Sequence, residues 1–593
     1  MVMIKQKLTL LLLIVGVTCA IGIRAQAPQR DVMSPIINYL LLSDSAGGEN
    51  MSLEDASRFL IQTTFGPTYE DIVALSNSSF NSWIDTQMRL PATHTVAYAD
   101  SQGWISNFPL LSDTRVADSA ILNVMLKAND QLRQRVAYAL SQIFVVSMDN
   151  NNGTDRRRIL FLDYYDMLLD NAFGNYRDLL EEVTLNNVMG FYLTMKLNAP
   201  ANTQVGAVGG SNSFFVRSPD ENYAREIMQL FSVGLNKLNL DGTPVIANGE
   251  MIPSYTQDTI ENFARVFTGW NYQTATGTEF LNTGFPMDFR PMRSWDEFHD
   301  KEAKTLLRGV VIPANQTAVQ DLDDALDNIF NDPNVAPFIS KLLIQHLVTS
   351  NPTPAYVQRT ANVFNGNRPN GASNPSLERG NLGAVIKALL LDTEARNGHV
   401  TMPNSFGKFK EPFIRQMAMW RGVYARRRTE NNNLFGAYFD RFSVRLGQKP
   451  LTARSVFNFY QSDFSPSGVM TANQLLAPES QLFDLESVIR IASTFEEYTQ
   501  IHHDDGPTTF SDSSTSILLN TVRYQQLLPN DLNAEDLVER LNLVFMAGAM
   551  SDEMKQILLD VHDPSLYLVD EKWRVVIDLI NIILLSPQYW VQK

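Results

Sequence analysis

The chain has very little cysteine: Cys19 is the only one among 593 residues. A single thiol excludes a disulfide within the chain, and with it the small scaffolds that depend on several bridges. A chain of this length can bury a core that is large enough to do without them. Cys19 lies inside the apolar N-terminal segment, so removal of that segment leaves a mature chain without a thiol.

Basic residues are also scarce. Lysine and arginine number 48 against 64 aspartates and glutamates, which gives a net charge of −16. Proteins that bind nucleic acid present a basic surface to the phosphates, so we predict no nucleic-acid partner. The charge permits a cationic partner or bound divalent ions, although solubility is the commoner reason for it.

The sequence lacks the familiar catalytic and nucleotide-binding motifs. It contains no G-x-S-x-G elbow, no H-E-x-x-H pair, no P-loop and no dinucleotide fingerprint after a strand. The common hydrolase and nucleotide-binding templates therefore give no match, and the sequence leaves both the cofactor and the metal unknown. No apolar run after residue 27 is long enough to span a membrane, so we predict no transmembrane segment in the mature chain.

The first 27 residues have the pattern of a signal peptide. Lys5 and Lys7 precede an apolar run from Leu8 to Ile23, and Ala25-Gln26-Ala27 offers a small-residue cleavage signal. The run of 16 residues is short for a membrane span. We predict a signal peptide over residues 1–27 and export to the periplasm, the cell surface or the medium.

The cleavage position has alternatives. Pro28 hinders cleavage directly after Ala27, which leaves cleavage after Ala20 or Ala25 open. A lipid anchor on Cys19 is a further interpretation, but Gly16-Val17-Thr18 is a poor lead-in for it.

Helical signals dominate from Leu53 onwards. Ser52 can cap a run whose apolar residues recur at helical spacing, and Thr68 can cap the next one. An Asp-Gly turn within 238–245 suggests a small hairpin. With 44% hydrophobic and 19% charged residues, we predict a mainly α fold, with a multi-helix orthogonal or bundle-like architecture and a few short β-hairpins.

Four segments are predicted along the chain. Residues 1–27 form the signal peptide and residues 28–52 a lead-in arm. Residues 53–490 form the main helical domain, and residues 491–593 form a C-terminal helical segment that packs on it.

The best-specified helix is predicted near the middle of the chain. Ser218 can cap it, Pro219 fits the first helical position and Glu221 completes an S-x-x-E capping box. Gly234 is a natural left-handed residue after the last turn. We therefore expect a helix over residues 218–234 with one apolar and one polar face.

The polar face of this helix carries the first candidate site. Asn222, Arg225 and Glu226 fall on one arc. If a loop covers that arc, Glu226 can act as a base or a ligand, with Arg225 as its electrostatic partner and Asn222 as a binding residue. The alternative is a solvated face with a weak pair between Glu221 and Arg225.

A second candidate site lies in 264–304. His299 and Asp300 can form an acid–base pair, with Lys304 nearby as a binding residue. Simple hydrogen bonding within the loop is the alternative. Arg265 can pair with an acid from another element, and Trp270 suits either core packing or a carbohydrate-stacking wall.

Other polar clusters are given ordinary structural roles. The oxygen-rich segment Asp149–Asp155 does not follow the EF-hand register, so we predict a polar turn instead of a calcium site. His346, on an apolar helix, is interpreted as a core residue with its hydrogen bonds satisfied. His502-His503 lacks the ligand spacing of a zinc site.

Several motifs occur in a fixed order along residues 53–490. They are Ala56–Pro67, Pro219–Glu226 with Leu230-Phe231 and Gly234, Ala264-Arg265 with Thr268–Trp270, His299-Asp300 with Lys304, and Lys408–Pro412. In this order they resemble the bacterial domain of unknown function 1800 family. The sequence departs from the family pattern at Asp220, where asparagine is expected. It also departs at Leu140–Phe144, where many members carry tryptophan and histidine.

The resemblance implies an exported, largely helical bacterial protein without an established activity. Family members are often encoded beside a second exported family, the domain of unknown function 1501 family, whose members resemble sulfatases. The resemblance therefore implies such a protein as a partner or as part of a shared pathway.

Two functional hypotheses follow. The first is a periplasmic or cell-surface binding or assembly protein. The alternative is an acid–base or metal-assisted hydrolase or lyase that acts on envelope or extracellular polymer. Its proposed residues are Glu226 as base or ligand, Arg225 as electrostatic partner, and His299 with Asp300 as a second acid–base pair.

Overall fold

The computed structural model describes residues 51–105, 114–149, 158–205, 214–273, 280, 289–427, 445–500 and 517–593. The predicted signal peptide and nearly all of the lead-in arm lie outside these residues. So do most of the Asp149–Asp155 segment and His502-His503.

Helices make up most of the described chain, and the predicted mainly α class is confirmed. The first group is α1 (Leu53–Thr63), α2 (Tyr69–Ser76), α3 (Phe80–Arg89), α4 (Thr95–Ser101), α5 (Thr114–Lys127), α6 (Gln131–Ile143), α7 (Arg158–Asp170), α8 (Tyr176–Leu185), α9 (Asn187–Tyr192), α10 (Asn222–Gln229), α11 (Gln257–Val266) and α12 (Ala318–Phe330). The second group is α13 (Val335–Leu347), α14 (Pro354–Phe364), α15 (Leu382–Leu391), α16 (Thr393–Thr401), α17 (Pro412–Gly422), α18 (Val469–Ala472), α19 (Leu485–Gln500), α20 (Val522–Gln525), α21 (Glu535–Met546), α22 (Asp552–Val561) and α23 (Lys572–Leu585).

The strands are short and pair two by two, always antiparallel. They are β1 (Thr203–Val205) with β2 (Phe214–Val216), β3 (Ile246–Ala247) with β4 (Glu250–Met251), β5 (Trp270–Asn271) with β6 (Arg293–Ser294), β7 (Lys304–Thr305) with β8 (Val311–Ile312), β9 (Lys408–Phe409) with β12 (Val591–Gln592), and β10 (Arg426–Arg427) with β11 (Ile517–Leu518). The predicted turn at Asp241-Gly242 also forms, and Leu238 bridges Pro244 across it.

The local start signals of the first two helices are confirmed. Ser52 Oγ accepts the Asp55 N–H at 3.0 Å. Thr68 and Asp71 form a complete capping box at α2. Both caps use residues three positions apart, so the sequence contains all the information that they need.

The predicted start of the central helix is wrong. Helix α10 begins at Asn222, not after Ser218, and Glu221 makes no capping box. Asp220 takes that role: its Oδ1 accepts the Asn222 N–H at 2.8 Å, while its own N–H donates to Asn198 Oδ1 at 2.8 Å. The chain before the helix is therefore anchored to Asn198, which holds residues 218–221 out of the helix.

Gly234 is left-handed as predicted, but the helix ends before the predicted position. The last residue of α10 is Gln229, and a tight turn follows in which the Gly234 N–H donates to Met228 O. Gly234 has a φ of +71°, and a Cβ there would lie 2.8 Å from the Phe338 ring. Glycine is therefore required both by the backbone and by the ring that packs on it.

The C-terminal helices share one apolar core with the rest of the described chain. Ser57 Oγ donates to Leu543 O at 2.6 Å, and β12 pairs with β9. The described residues of 491–593 are thus joined to the described residues of 53–490 both by core packing and by backbone hydrogen bonds. Within the described ranges, no helix has the length and apolar character needed to cross a membrane.

Candidate functional site

Glu226 lies on a buried part of α10. Only 6% of the residue is exposed, and its Oε2 has no hydrogen-bond partner among the described residues. Burial raises the pKa of Glu226, and the neighbouring Arg225 counteracts this in part. Burial thus disfavours the ionised form of Glu226, and no ion pair with a described residue stabilises it.

Arg225 and Asn222 face a different environment from Glu226. Arg225 Nη2 pairs with Glu221 Oε2 at 3.0 Å and is 41% exposed. The Asn222 side chain is also at the surface, where it donates to Thr194 Oγ1 at 3.4 Å. The surface pair between Glu221 and Arg225, given above as the alternative, is therefore present.

His299 is sealed inside the protein. Its Nε2 lies 3.0 Å from Asp321 Oδ2, and its Nδ1 lies 3.0 Å from Thr268 O. Lys304 Nζ pairs with the same Asp321 carboxylate at 2.7 Å, and the side chains of His299, Asp321 and Lys304 are each no more than 1% exposed. This arrangement holds α12 to the 299–304 segment, and it leaves the imidazole without access to a substrate.

Asp300 pairs with Arg265 and not with His299. Arg265 holds the Asp300 carboxylate through two hydrogen bonds of 2.9 and 3.0 Å. Burial pushes the pKa of Asp300 upward, but Arg265 and the Glu302 N–H outweigh it and hold the pKa below its usual range. The predicted pairing of Arg265 with an acid is present, and Trp270 is buried in the core, in agreement with its core-packing alternative.

Removal of the Glu226 charge should therefore stabilise the protein. A carboxylate with a raised pKa contributes stability below about pH 4.5 and loses it as the pH rises through the folded pKa. At pH 7 we expect Glu226→Gln to raise the free energy of unfolding by about 0.5–1 kcal/mol, a value reduced for the nearby Arg225. Urea unfolding measures it, with the exposed Glu261→Gln as control; a loss above about 1 kcal/mol would show that the carboxylate has a stabilising partner.

A cavity that the sequence analysis missed lies elsewhere. It has a volume of about 460 Å³, and we call it the central cavity. Its walls are the end of α6, the end of α10 with the following residues 234–251, the C-terminal half of α13, and residues 456–463. The well-specified helix therefore contributes its C-terminal end to a cavity, and Glu226 and His299 are not among the lining residues.

The rim of the central cavity is apolar and exposed. Leu235, Met251 and Phe457 line it, with 56%, 54% and 46% of their surface exposed. Large apolar side chains that remain exposed around a concave site mark a surface that contacts another molecule. Phe338 and Leu342 of α13 continue this apolar wall inward.

The floor of the central cavity is polar and fixed by a buried carboxylate. Tyr460 Oη donates to Gln142 Oε1 at 2.9 Å, and Gln142 Nε2 donates to Glu411 Oε1 at 3.2 Å. Glu411 is fully buried and also accepts from Tyr138 Oη at 2.9 Å. The lining groups Gln142 and Tyr460 thus have fixed orientations before any ligand arrives.

His346 also lies at the floor, with Gln142 and Tyr460. Burial, together with the charges of Lys408 and Arg135, lowers the pKa of His346 to about 3 despite the opposing effect of Glu411. The ring is therefore neutral at pH 7. It can donate and accept a hydrogen bond, but its pKa lies far from the value that suits proton transfer at neutral pH.

Two charged side chains line the same cavity. They are Lys341 of α13 and Asp463. Burial lowers the pKa of Lys341, and the charge of Asp463 counteracts this. In the described part of the chain, neither group forms an ion pair or a side-chain hydrogen bond, although each acts on the other through space.

Only a weak signal of this cavity is present in the sequence. Its floor combines Gln142, His346 and Tyr460, which lie more than 100 residues apart along the chain. The local signal is on α13, where Lys341, Gln345 and His346 interrupt one side of an otherwise apolar helix. Of these three residues only His346 is interpreted from the sequence, as a core residue with its hydrogen bonds satisfied. No group of three or more potential metal ligands occurs among the residues that the structure describes.

Comparison with known proteins places the chain in a family. The model of the family described as "Protein of unknown function (DUF1800)" matches residues 58–591. The chain belongs to this family. The match covers the helices, the buried His299 network and all walls of the central cavity, so these features lie within the family region. No curated protein and no solved structure matches the chain.

Proposed function

We propose that this DUF1800 protein is a binding protein that takes a small molecule into the central cavity. The observation that carries the proposal is the combination of an exposed apolar rim with a pre-positioned polar floor in one cavity of about 460 Å³. Ligand sites are usually cavities of about 300–1,000 Å³ with mostly apolar walls and a few fixed polar groups. A second hollow, near α11, has its Arg308 already paired with Asp332.

Binding is better supported than acid–base catalysis. His346, the imidazole at the cavity floor, has a pKa of about 3, so it is a poor proton acceptor at neutral pH. His299 is enclosed by Thr268 and Asp321. The hydrolase or lyase hypothesis needs an accessible acid–base pair, and these contacts weigh against His299 in that role.

We propose further that the protein is exported. The support is the basic start, short apolar run and A-x-A signal within residues 1–27. Fractionation of the producing cells tests this: the mature chain should appear in the periplasm, the cell envelope or the medium, shortened by 20 to 27 residues. A full-length chain in the cytoplasm would overturn it. The sulfatase-like partner is a proposal that co-purification from the same fraction tests.

Binding to the central cavity can be tested with a neutral apolar dye. N-phenyl-1-naphthylamine fluoresces in apolar surroundings and carries one N–H for the polar floor. We expect saturable binding to the wild type, and a rise in melting temperature because a ligand that binds only the native state stabilises it. Val456→Trp fills the cavity from its wall, and we expect it to weaken dye binding by about tenfold or more.

A matched variant separates the cavity from the rest of the surface. Val469 is 77% exposed and lies outside the cavity lining. Val469→Trp adds the same side chain, and we expect wild-type dye affinity. Equal dye affinity in both tryptophan variants would refute the cavity as the binding site.

A further inference from the structure

The central cavity is lined by one positive and one negative side chain that form no ion pair with each other. Lys341 and Asp463 both line it, and neither has an ion-pair partner among the described residues. The effect of Asp463 on the pKa of Lys341 shows that the two charges are close enough to interact. Lys341 is partly buried, whereas Asp463 is exposed. The ammonium of Lys341 therefore loses hydration, and a negatively charged group of a ligand restores the lost stabilisation.

The pair of opposite charges selects against ligands with a single charge. An anion would be attracted by Lys341 but repelled by Asp463. A cation would be attracted by Asp463 but repelled by Lys341. Specificity arises from such repulsion as well as from attraction. A molecule that carries one charge of each sign satisfies both side chains at once.

The surroundings of the two charges add an apolar requirement. Phe338 and Leu342 lie within four positions of Lys341, and Phe457 lies on the same segment as Asp463. All three line the cavity, so a ligand held by the charges would place its body against apolar walls. The volume of about 460 Å³ suits a molecule of drug-like or short-peptide size.

We propose that the ligand is a small zwitterion with an apolar body, whose acidic group contacts Lys341 and whose ammonium group contacts Asp463. This inference rests on the proposed binding function. Short apolar peptides and aminophospholipid headgroups share the required chemistry. His346 and Tyr460 supply neutral hydrogen-bonding groups at the floor for the polar atoms between the two charges.

Displacement of N-phenyl-1-naphthylamine from the full mature protein tests the ligand class. The probes are the dipeptide leucyl-phenylalanine, its N-acetylated form, which is only an anion, and its C-terminal amide, which is only a cation. From the dye displacement we expect the zwitterion to have an affinity at least about tenfold higher than that of either analogue. Dihexanoylphosphatidylethanolamine forms a separate arm that distinguishes a lipid headgroup from a peptide.

Charge-removing variants give a reciprocal signature. In Lys341→Gln we expect the preference to move to the amidated cation, and in Asp463→Asn to the acetylated anion, each by about tenfold relative to the zwitterion. The peptide affinity measured for each variant is corrected for the affinity of that variant for the dye. Lys301→Gln removes an exposed lysine outside the cavity lining and should keep the wild-type preference.

The outcomes separate this inference from the proposed function. Two results would refute the zwitterionic ligand but leave the binding function supported. In the first, all three peptides displace the dye from the cavity equally well; in the second, neither the zwitterionic peptide nor the zwitterionic lipid displaces it. Dye binding that is insensitive to Val456→Trp overturns the binding function itself.

Discussion

Replacement of Asp321 by asparagine lowers the free energy of unfolding by about 3–5 kcal/mol, because it leaves the buried Lys304 ammonium without its counter-charge. Lys304 Nζ and His299 Nε2 both contact this carboxylate, at 2.7 and 3.0 Å. Urea unfolding at pH 7 measures the loss. In the binding assay described above, the variant is tested at a temperature where it remains folded.

The control for this prediction lies on the same helix. Asp323 is exposed and lies 3.5 Å from Arg177, so Asp323→Asn should change the stability by no more than about 0.5 kcal/mol. Lys304 also donates to the backbone carbonyls of Asp300 and Glu302. A loss below about 1 kcal/mol for Asp321→Asn would mean that these carbonyls are sufficient partners for the ammonium.

The second large effect is expected at Glu411, under the floor of the central cavity. Glu411→Gln keeps the shape of the side chain, but it removes the negative charge that faces the buried Arg135 and Lys408. We expect a loss of about 3–5 kcal/mol in the free energy of unfolding at pH 7. Gln142 would also lose the ionised acceptor that fixes it, so the dye affinity should fall as well.

The pH dependence of stability provides a second measurement at Glu411. Burial alone would raise the pKa of this carboxyl, but the charges of Lys408 and Arg135 outweigh it and hold the pKa below its usual range. Its contribution to stability is therefore present above about pH 4.5 and is lost as the pH falls through the lower folded pKa. The difference in the free energy of unfolding between the wild type and Glu411→Gln should therefore become smaller at acid pH. Exposed Glu486→Gln is the control, and an unchanged difference down to pH 3 would contradict the assignment.

The parts of the fold that could be predicted are those whose signals are local. The caps at Ser52 and Thr68 use a partner three residues away, so the sequence alone defines them. The start of α10 depends on Asn198, which lies 22 residues before Asp220 and is brought to it by the fold. A capping box at Ser218 had the correct residue types, but a longer-range contact competed successfully with it.

The candidate site shows the same division. The His299-Asp300 dipeptide suggested an acid–base pair, whereas His299 contacts Asp321 and Asp300 contacts Arg265. Adjacent residues point to different neighbours, so adjacency in sequence did not identify the pairs. The central cavity combines Gln142, His346 and Tyr460 from three distant segments, and no spacing rule relates them.

The contact between the first and the last third of the chain also has a consequence in time. Ser57 donates to the carbonyl of Leu543, which is 486 residues away. At a synthesis rate of about 5–20 residues per second, the ribosome reaches Leu543 roughly 25–100 s after Ser57. During that interval α1 lacks α21, which it packs against in the finished protein, so the part of its surface that α21 covers stays exposed until translation is nearly complete.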